Sequence, residues 1–313
     1  MSLVSSNSFA VVIPTYNGGL LWGKVIESLL MQKLRPKLIL VIDSGSKDNT
    51  FQASKDAGFE CISISQKDFN HGATRNLGVD YVIRSSKNIK FIVFLTQDAV
   101  LANPNSLGNL VKILIDEKIG AVCGRQIPHV NAQPLEAHAR YFNYSTESKI
   151  KSKEDILRYG IKTAFMSNSF AAYNYMAYKD VNGFPDDTIF AEDMSIAAKM
   201  LLKGYKVAYC AEASVYHSHS YTIIEEFRRY FDVGVFYNRE SWIRESFGSA
   251  GGEGLKFVIS EIRFLLKSNL FYLIPYAFCR VIAKFAAFRL GMIEQVLSRK
   301  TKLRIGMNKS YWR

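Results

Sequence analysis

The chain has 313 residues, of which 48% are hydrophobic and 22% charged, the proportions of a folded globular protein. They exclude a disordered, collagen-like or low-complexity chain. The net charge of +12 is unevenly placed: residues 251–313 hold 12 Lys/Arg against 3 Asp/Glu, whereas residues 1–250 hold 28 against 25. A nucleic-acid-binding enzyme would spread its positive charge over the body of the fold, so no nucleic-acid partner is expected. A basic tail on a near-neutral body points instead to an acidic surface that the tail meets.

The cysteines (Cys61, Cys123, Cys210, Cys279) are scattered without a CxxC pair, which suggests neither a zinc site nor a disulfide framework and fits a reducing compartment. The first apolar run, Phe9 to Ile13, is too short for a secretory signal. The longest uncharged apolar stretch, Ser268–Cys279, has 12 residues and contains Pro275, against the ~20 of a spanning helix. The expected location is cytoplasmic, at most lying on a membrane.

In chain order, Phe9–Ile13, Leu38–Ile42, Cys61–Ser65, Phe91–Leu95 and Ala121–Cys123 are short β-type runs. Leu21–Gln32, Asp48–Ala57, Ala73–Arg84 and Pro104–Glu117 carry helical spacing between them, with Pro104 suited to a first helical position. Strands alternating with helices of this length predict an α/β fold of βαβ units around a mainly parallel sheet. Ligands of such sheets sit beyond the carboxyl ends of the strands. Those ends carry Pro14-Thr15-Tyr16-Asn17, Asp43-Ser44-Gly45-Ser46-Lys47-Asp48, and Thr96-Gln97-Asp98, with Asn70 to Asn76 opening the third helix. Each alone reads as a turn or cap, and Asp48 is expected to be one. Together they predict a shared nucleotide site.

These residues resemble the inverting nucleotide-sugar glycosyltransferases of family two, with the GT-A fold. Val11–Asn17, Asp43–Thr50, Gly72–Asn76, Asp98, Asn182-Gly183-Phe184 and Glu192-Asp193 carry the resemblance, over about residues 8–220. A finer similarity, to bacterial rhamnosyltransferases of polysaccharide assembly, rests on Asn70–Asn76, Phe94–Ala99, Gly124–Pro128, Tyr216–Tyr221 and Phe227–Phe236. The resemblance implies inverting transfer of a deoxyhexose, L-rhamnose from dTDP-rhamnose being the best match, to a lipid-linked saccharide.

Donor contacts are then expected from Thr15, Tyr16, Asn17, Asp43, Ser44, Arg75 and Gln97. Tyr16 offers a flat face to a pyrimidine, and Asp43 an acceptor for the base N3–H of thymine or uracil alike, so a dTDP- or UDP-sugar is expected. An Asx-turn is the competing role for Asp43. Arg75 could meet the diphosphate or hold the Asp98 loop. Asp98 is the expected ligand of a divalent metal, Mg or Mn, which would neutralise the departing diphosphate. The family's Asp-x-Asp is here Thr96-Gln97-Asp98, lacking the first carboxylate. His217, at a position resembling the family's downstream ligand, is the expected second ligand, with His219 competing. Asp193 is the expected catalytic base, held ionised by its helix start.

Thr163–Tyr178 is aromatic-rich and reads as core, or as a strand near the acceptor cleft. Across Leu255–Leu297, Lys256, Arg263, Lys267, Arg280, Lys284 and Arg289 punctuate apolar residues at the spacing of basic amphipathic helices. Such helices lie in the plane of an anionic membrane surface; a helical subdomain or dimer contact is the alternative. Two units are expected, a catalytic domain at 1–222 and a membrane-associating helical region at 223–313. A non-catalytic nucleotide-sugar-binding relative remains open because of the missing carboxylate, although Glu192-Asp193 argues against it. A sugar nucleotidyltransferase would need a basic phosphate loop after the first strand, and Pro14–Gly19 has no basic residue.

Overall fold

The computed structural model describes residues 8–248 and 252–312. Residues 1–7, at the start of the expected first domain, and Arg313, at the end of the basic tail, lie outside the described residues. The elements follow in order: β1 (Phe9–Thr15), α1 (Gly19–Leu30), β2 (Leu38–Asp43), α2 (Thr50–Asp56), β3 (Glu60–Ser63), α3 (His71–Ser85), β4 (Phe91–Leu95) and β5 (Val100–Leu101). Then come α4 (Ser106–Val111), β6 (Ile119–Ile127), α5 (Pro134–Asn143), β7 (Lys149–Lys151), α6 (Ile156–Tyr159), β8 (Phe170–Asn174), α7 (Tyr175–Asp180), α8 (Glu192–Leu202) and β9 (Lys206–Tyr216). Five helices close the chain: α9 (Ile223–Arg239), α10 (Ser241–Phe247), α11 (Glu253–Lys267), α12 (Ile274–Met292) and α13 (Arg299–Ile305).

Among the described residues the strands form one sheet in the order β3-β2-β1-β4-β8-β6-β9-β5, with β7 beside β9. The first four strands are mutually parallel, as the alternating pattern predicts. The rest of the sheet is mixed, because β8 enters antiparallel between β4 and β6. Thr163–Tyr178 thus supplies both a strand and core, with Phe170 and Tyr173 fully buried. Continuous apolar runs such as Phe-Ile-Val-Phe-Leu in β4 are buried on both faces, as central strands covered by helices must be.

All four helix starts differ from the spacing by two residues, with α1 opening at Gly19 and α2 at Thr50. Helix α3 opens at His71, because Asn70 Oδ1 accepts the amides of Gly72 (2.8 Å) and Ala73 (3.1 Å). A Cβ at Gly72 would lie 1.9 Å from the Pro185 carbonyl, so only glycine lets this helix start lie against the 183–185 turn. Helix α4 opens at Ser106, not at Pro104, and continues as a 3₁₀ turn to Ile115. The Pro104 carbonyl is drawn away to the Lys33 amide (2.9 Å) and Asn103 Oδ1 turns the chain at Asn105.

The C-terminal helices are not a separate layer. Phe231, Val235, Phe236, Ile243, Phe247, Ala287 and Trp312 share one buried cluster with Ala10, Val12 and Phe94 of the sheet. Helices α9 and α12 cross in backbone contact, since a Cβ on Gly291 would lie 2.2 Å from the Phe231 carbonyl. Packing therefore runs through residue 222 without a break.

Candidate active site

A cleft of about 510 Å³ opens over the carboxyl ends of β1, β2 and β4. Thr15, Tyr16, Ser44, Arg75, Gln97, Asp98, Asp193 and His217 all line it. Asn17 and Asp43 do not. The Asp43 carboxylate accepts from Thr15 Oγ1 (3.1 Å), Ser46 Oγ (2.5 Å) and the amides of Gly45 (3.0 Å) and Ser46 (2.8 Å). These four donors fill the usual capacity of a carboxylate and form the Asx-turn. Asn17, in the left-handed region at φ 47, ties the first loop to the second through the Ser46 hydroxyl and the Lys47 amide. Asp48 caps, accepting from Gly19 and Thr50.

The remaining loop residues face the cleft with work left to do. Gln97 clasps Tyr16 through both backbone groups, accepting its amide (2.6 Å) and donating to its carbonyl (3.0 Å). That clasp holds the half-exposed Tyr16 ring in place. Ser44 Oγ and Arg75 Nε are buried without a hydrogen-bond partner among the described residues. Orphaned buried donors of this kind are costly unless a ligand or water meets them. Arg75 does not reach the Asp98 loop. Its guanidinium pairs with Glu192 (2.8 Å), both groups being buried, and donates to the His71 carbonyl.

Strand pairing creates the second cluster. Val100 pairs with Tyr216 across β5 and β9, which sets Asp98, two residues upstream, against His217, one residue downstream. Asp98 Oδ1 lies 3.4 Å from His217 Nε2, and Oδ2 lies 3.6 Å from His219 Nε2. Both histidines, not one, face Asp98: one ligand atom from each of the three residues falls within a span of 4.8 Å. His217 Nδ1 lies 2.9 Å from Gln126 Oε1, an acceptor, so Nδ1 donates there while Nε2 faces Asp98. Burial, reinforced by the His217 charge, presses His219 down to about 4, so it is neutral and ready to coordinate at pH 7. Burial raises Asp98, but both histidines outweigh it and hold the carboxyl well below the usual range. Two imidazoles and a carboxylate fit a divalent metal.

On the other side of the cleft stands Asp193, in the first turn of α8. The residue before that turn's Glu192 is Ala191, strained into the left-handed region at φ 55. Asp193 accepts the Asn168 amide (3.0 Å) and its own neighbour's, Met194 (2.8 Å). Asn168 in turn donates to Glu192 (3.0 Å) and accepts from Tyr173 (2.8 Å). Although burial raises Glu192, Arg75 and His71 hold it ionised, below the usual range. Beside that charge, burial and repulsion push Asp193 up to about 7. The helix start does not keep it acidic: desolvation and Glu192 outweigh the dipole.

Two cations that sequence spacing did not single out also line the cleft, Arg140 and Arg229. Arg140 donates to the His217 carbonyl (2.9 Å). Arg229 stacks over Phe190 (4.9 Å) and Tyr221 (5.7 Å) and makes no ion pair among the described residues. From the far end of the chain, Asp232 holds the amides of Met307 and Asn308, and all three line the cleft. Only the closing of the C-terminal helices over the sheet brings these residues in, so no local motif announces them.

Sheet order and cleft define the class, a glycosyltransferase of the GT-A type. Residues 10–181 match glycosyl transferase family 2, and the chain belongs to that family. It is 52% identical to the O-antigen chain rhamnosyltransferase RfbN of Salmonella typhimurium, over 96% of this chain and 95% of the relative. It is 49% identical to the O-antigen chain rhamnosyltransferase WbaN of Salmonella anatum, over 97% and 96%. Among solved structures, the mannosyltransferase PcManGT of Pyrobaculum calidifontis, in complex with GDP-Man and Mn²⁺, shares the fold at TM-score 0.65 and 16% identity, over 92% of this chain and 88% of its own.

Proposed function

We propose that the chain is an inverting rhamnosyltransferase that moves L-rhamnose from dTDP-rhamnose to a lipid-linked saccharide in O-antigen-type polysaccharide synthesis. The donor sugar rests on the two relatives named above, similar over nearly their whole length. The chemistry rests on one observation: a half-buried carboxyl raised to about 7 faces, across one cleft, a carboxylate–imidazole cluster and unpaired arginine charge.

In inverting transfer the acceptor oxygen bonds to the anomeric carbon as the bond to the diphosphate oxygen breaks. Asp193 takes the acceptor's proton, and a pKa near the working pH suits a group that must both accept and release it. The diphosphate leaves with added negative charge, which Arg229 and Arg140 are placed to meet. Asp98, His217 and His219 would hold a divalent cation, Mn²⁺ suiting two imidazoles better than Mg²⁺, and it would supply Lewis-acid stabilisation of that charge. Tyr16, whose ring lines the cleft, would stack on the base, and the Ser44 hydroxyl and Arg75 Nε, both without a partner among the described residues, would donate to the nucleotide.

The acceptor's lipid would bring the enzyme to the inner face of the plasma membrane. The helical segment Phe271–Met292 has 22 residues and a mean hydropathy of 1.4, long and apolar enough to cross a bilayer by length and composition, unlike the 12-residue stretch the sequence offered. Its inner side is nevertheless held to α9, where Arg280 and Lys284 pair with Glu226. Its outer side exposes Phe271, Phe278, Ile282 and Phe285. A helix half committed to protein and half apolar is suited to lying in the interface. Arg280 and Lys284 share Glu226, so the cations with no ion pair among the described residues on these helices are Arg263, Lys267 and Arg289, with Lys256 paired with Glu253.

The test is product analysis with dTDP-rhamnose, Mn²⁺ and membranes from a strain lacking the enzyme. Release of dTDP with label entering lipid is expected. Pyrophosphate release would mark a nucleotidyltransferase, and binding without turnover a non-catalytic relative.

A further inference from the structure

A second cavity of about 300 Å³, at the lower end of the range for small-molecule sites, adjoins the cleft. His219 and Tyr221 line both spaces. Its remaining walls come from the start of α5 (Gln133, Glu136), from Ser220, and from Leu273 and Tyr276 at the start of α12. It therefore lies between the carboxylate–imidazole cluster and the helix whose outer side is apolar and exposed.

The lining says what chemistry fits. Burial raises Glu136, but hydroxyl hydrogen bonds from Ser218 and Ser220 prevail and hold it ionised, below the usual carboxylate range. Arg280, the cation at this wall, is already paired with Glu226, which Lys284 also contacts. A diphosphate would meet a carboxylate and a cation already engaged, whereas the neighbouring cleft offers Arg140 and Arg229. Two tyrosine rings, an amide, a hydroxyl and a carboxylate instead match the apolar faces and hydroxyl edges of an uncharged sugar.

We infer that this cavity is the subsite for neutral saccharide units of the acceptor beyond the reacting one, which itself must reach Asp193 in the main cleft, with the lipid carried along the exposed side of α12. The inference rests on the proposed transfer reaction and adds the place and the charge class of its acceptor. Gln133→Trp, at an exposed position before α5, and Leu273→Trp, just before α12, narrow the cavity from positions that are neither metal ligands nor donor contacts.

The experiment titrates membranes of the strain lacking the enzyme, as acceptor, against dTDP-[¹⁴C]rhamnose. Each variant should raise the acceptor KM at least tenfold, with an unchanged donor-induced thermal shift and unchanged sedimentation with vesicles. An acceptor KM within twofold of wild type in both variants overturns the inference. A wild type that labels no lipid refutes the transfer reaction itself and takes this inference with it.

Discussion

Asp193→Asn separates the cost of a catalytic carboxylate from its use. In the fold this carboxyl is moved from 3.8 to about 7, first by burial and then by the ionised Glu192. A shift of that size is worth about 4 kcal/mol at full value. Asp193 is partly exposed and shares its titration with a neighbour, so about 1–3 kcal/mol is the expected share. The folded state binds the proton more tightly than the unfolded chain does. Ionisation of Asp193 therefore destabilises the fold progressively as pH rises from about 4 to 7, and fully above that. Asparagine keeps an oxygen for the Asn168 amide but carries no charge. The variant should gain thermal stability over wild type as pH rises from 5 to 8, with no gain at pH 4. Turnover should fall by about 10²–10⁴ because no base remains, while the donor-induced thermal shift persists. In the wild type, activity should decline as pH falls below about 7, where Asp193 becomes protonated. Differential scanning fluorimetry across pH, paired with dTDP release, measures both effects. Turnover within threefold of wild type refutes the base assignment, and a pH-independent loss of stability refutes the electrostatic argument.

The metal cluster predicts that Asp98→Ala abolishes Mn²⁺-dependent donor binding by calorimetry. Gln126→Leu, which removes the partner of His217 Nδ1 and a donor to Ser167 Oγ, should weaken Mn²⁺ affinity by about 10–100-fold; undiminished affinity would show that the tautomer is fixed otherwise. At the membrane, Phe278→Ser with Phe285→Ser should reduce sedimentation with anionic vesicles while leaving dTDP release from free donor unchanged. Equal sedimentation of wild type with neutral and anionic vesicles would remove the electrostatic part of the docking. Point changes are required here because Met307, Asn308 and Trp312 belong to the cleft and core, so deleting the tail would unmake the site.

Local chemistry made much of this protein legible from its residues. Apolar runs with period-breaking loops mark β1, β2 and β4, and strand ends in a parallel sheet point at ligand, so Tyr16, Ser44, Gln97 and Asp98 fall at the cleft as their positions suggest. The Glu192-Asp193 pair was legible through the family resemblance rather than through strand ends. Charges and distances across the fold were not. Asp43 reads equally as base contact or turn former until Thr15 and Ser46 are seen to saturate it. His217 and His219 are rivals in the sequence and partners in space, because only the β5–β9 register lays their loop over Asp98. The ionisation of Asp193 reversed in expectation, since a helix start argues for the charged form while burial beside Glu192 argues more strongly against it. The tail's basic count proved divisible in the same way: sequence supplies the number of cations, and tertiary pairing with Glu226 decides which of them remain free for a surface. Periodicity and loop chemistry act over a few residues and are carried by the chain itself, whereas desolvation, pairing and coordination depend on distances that only the closed fold sets.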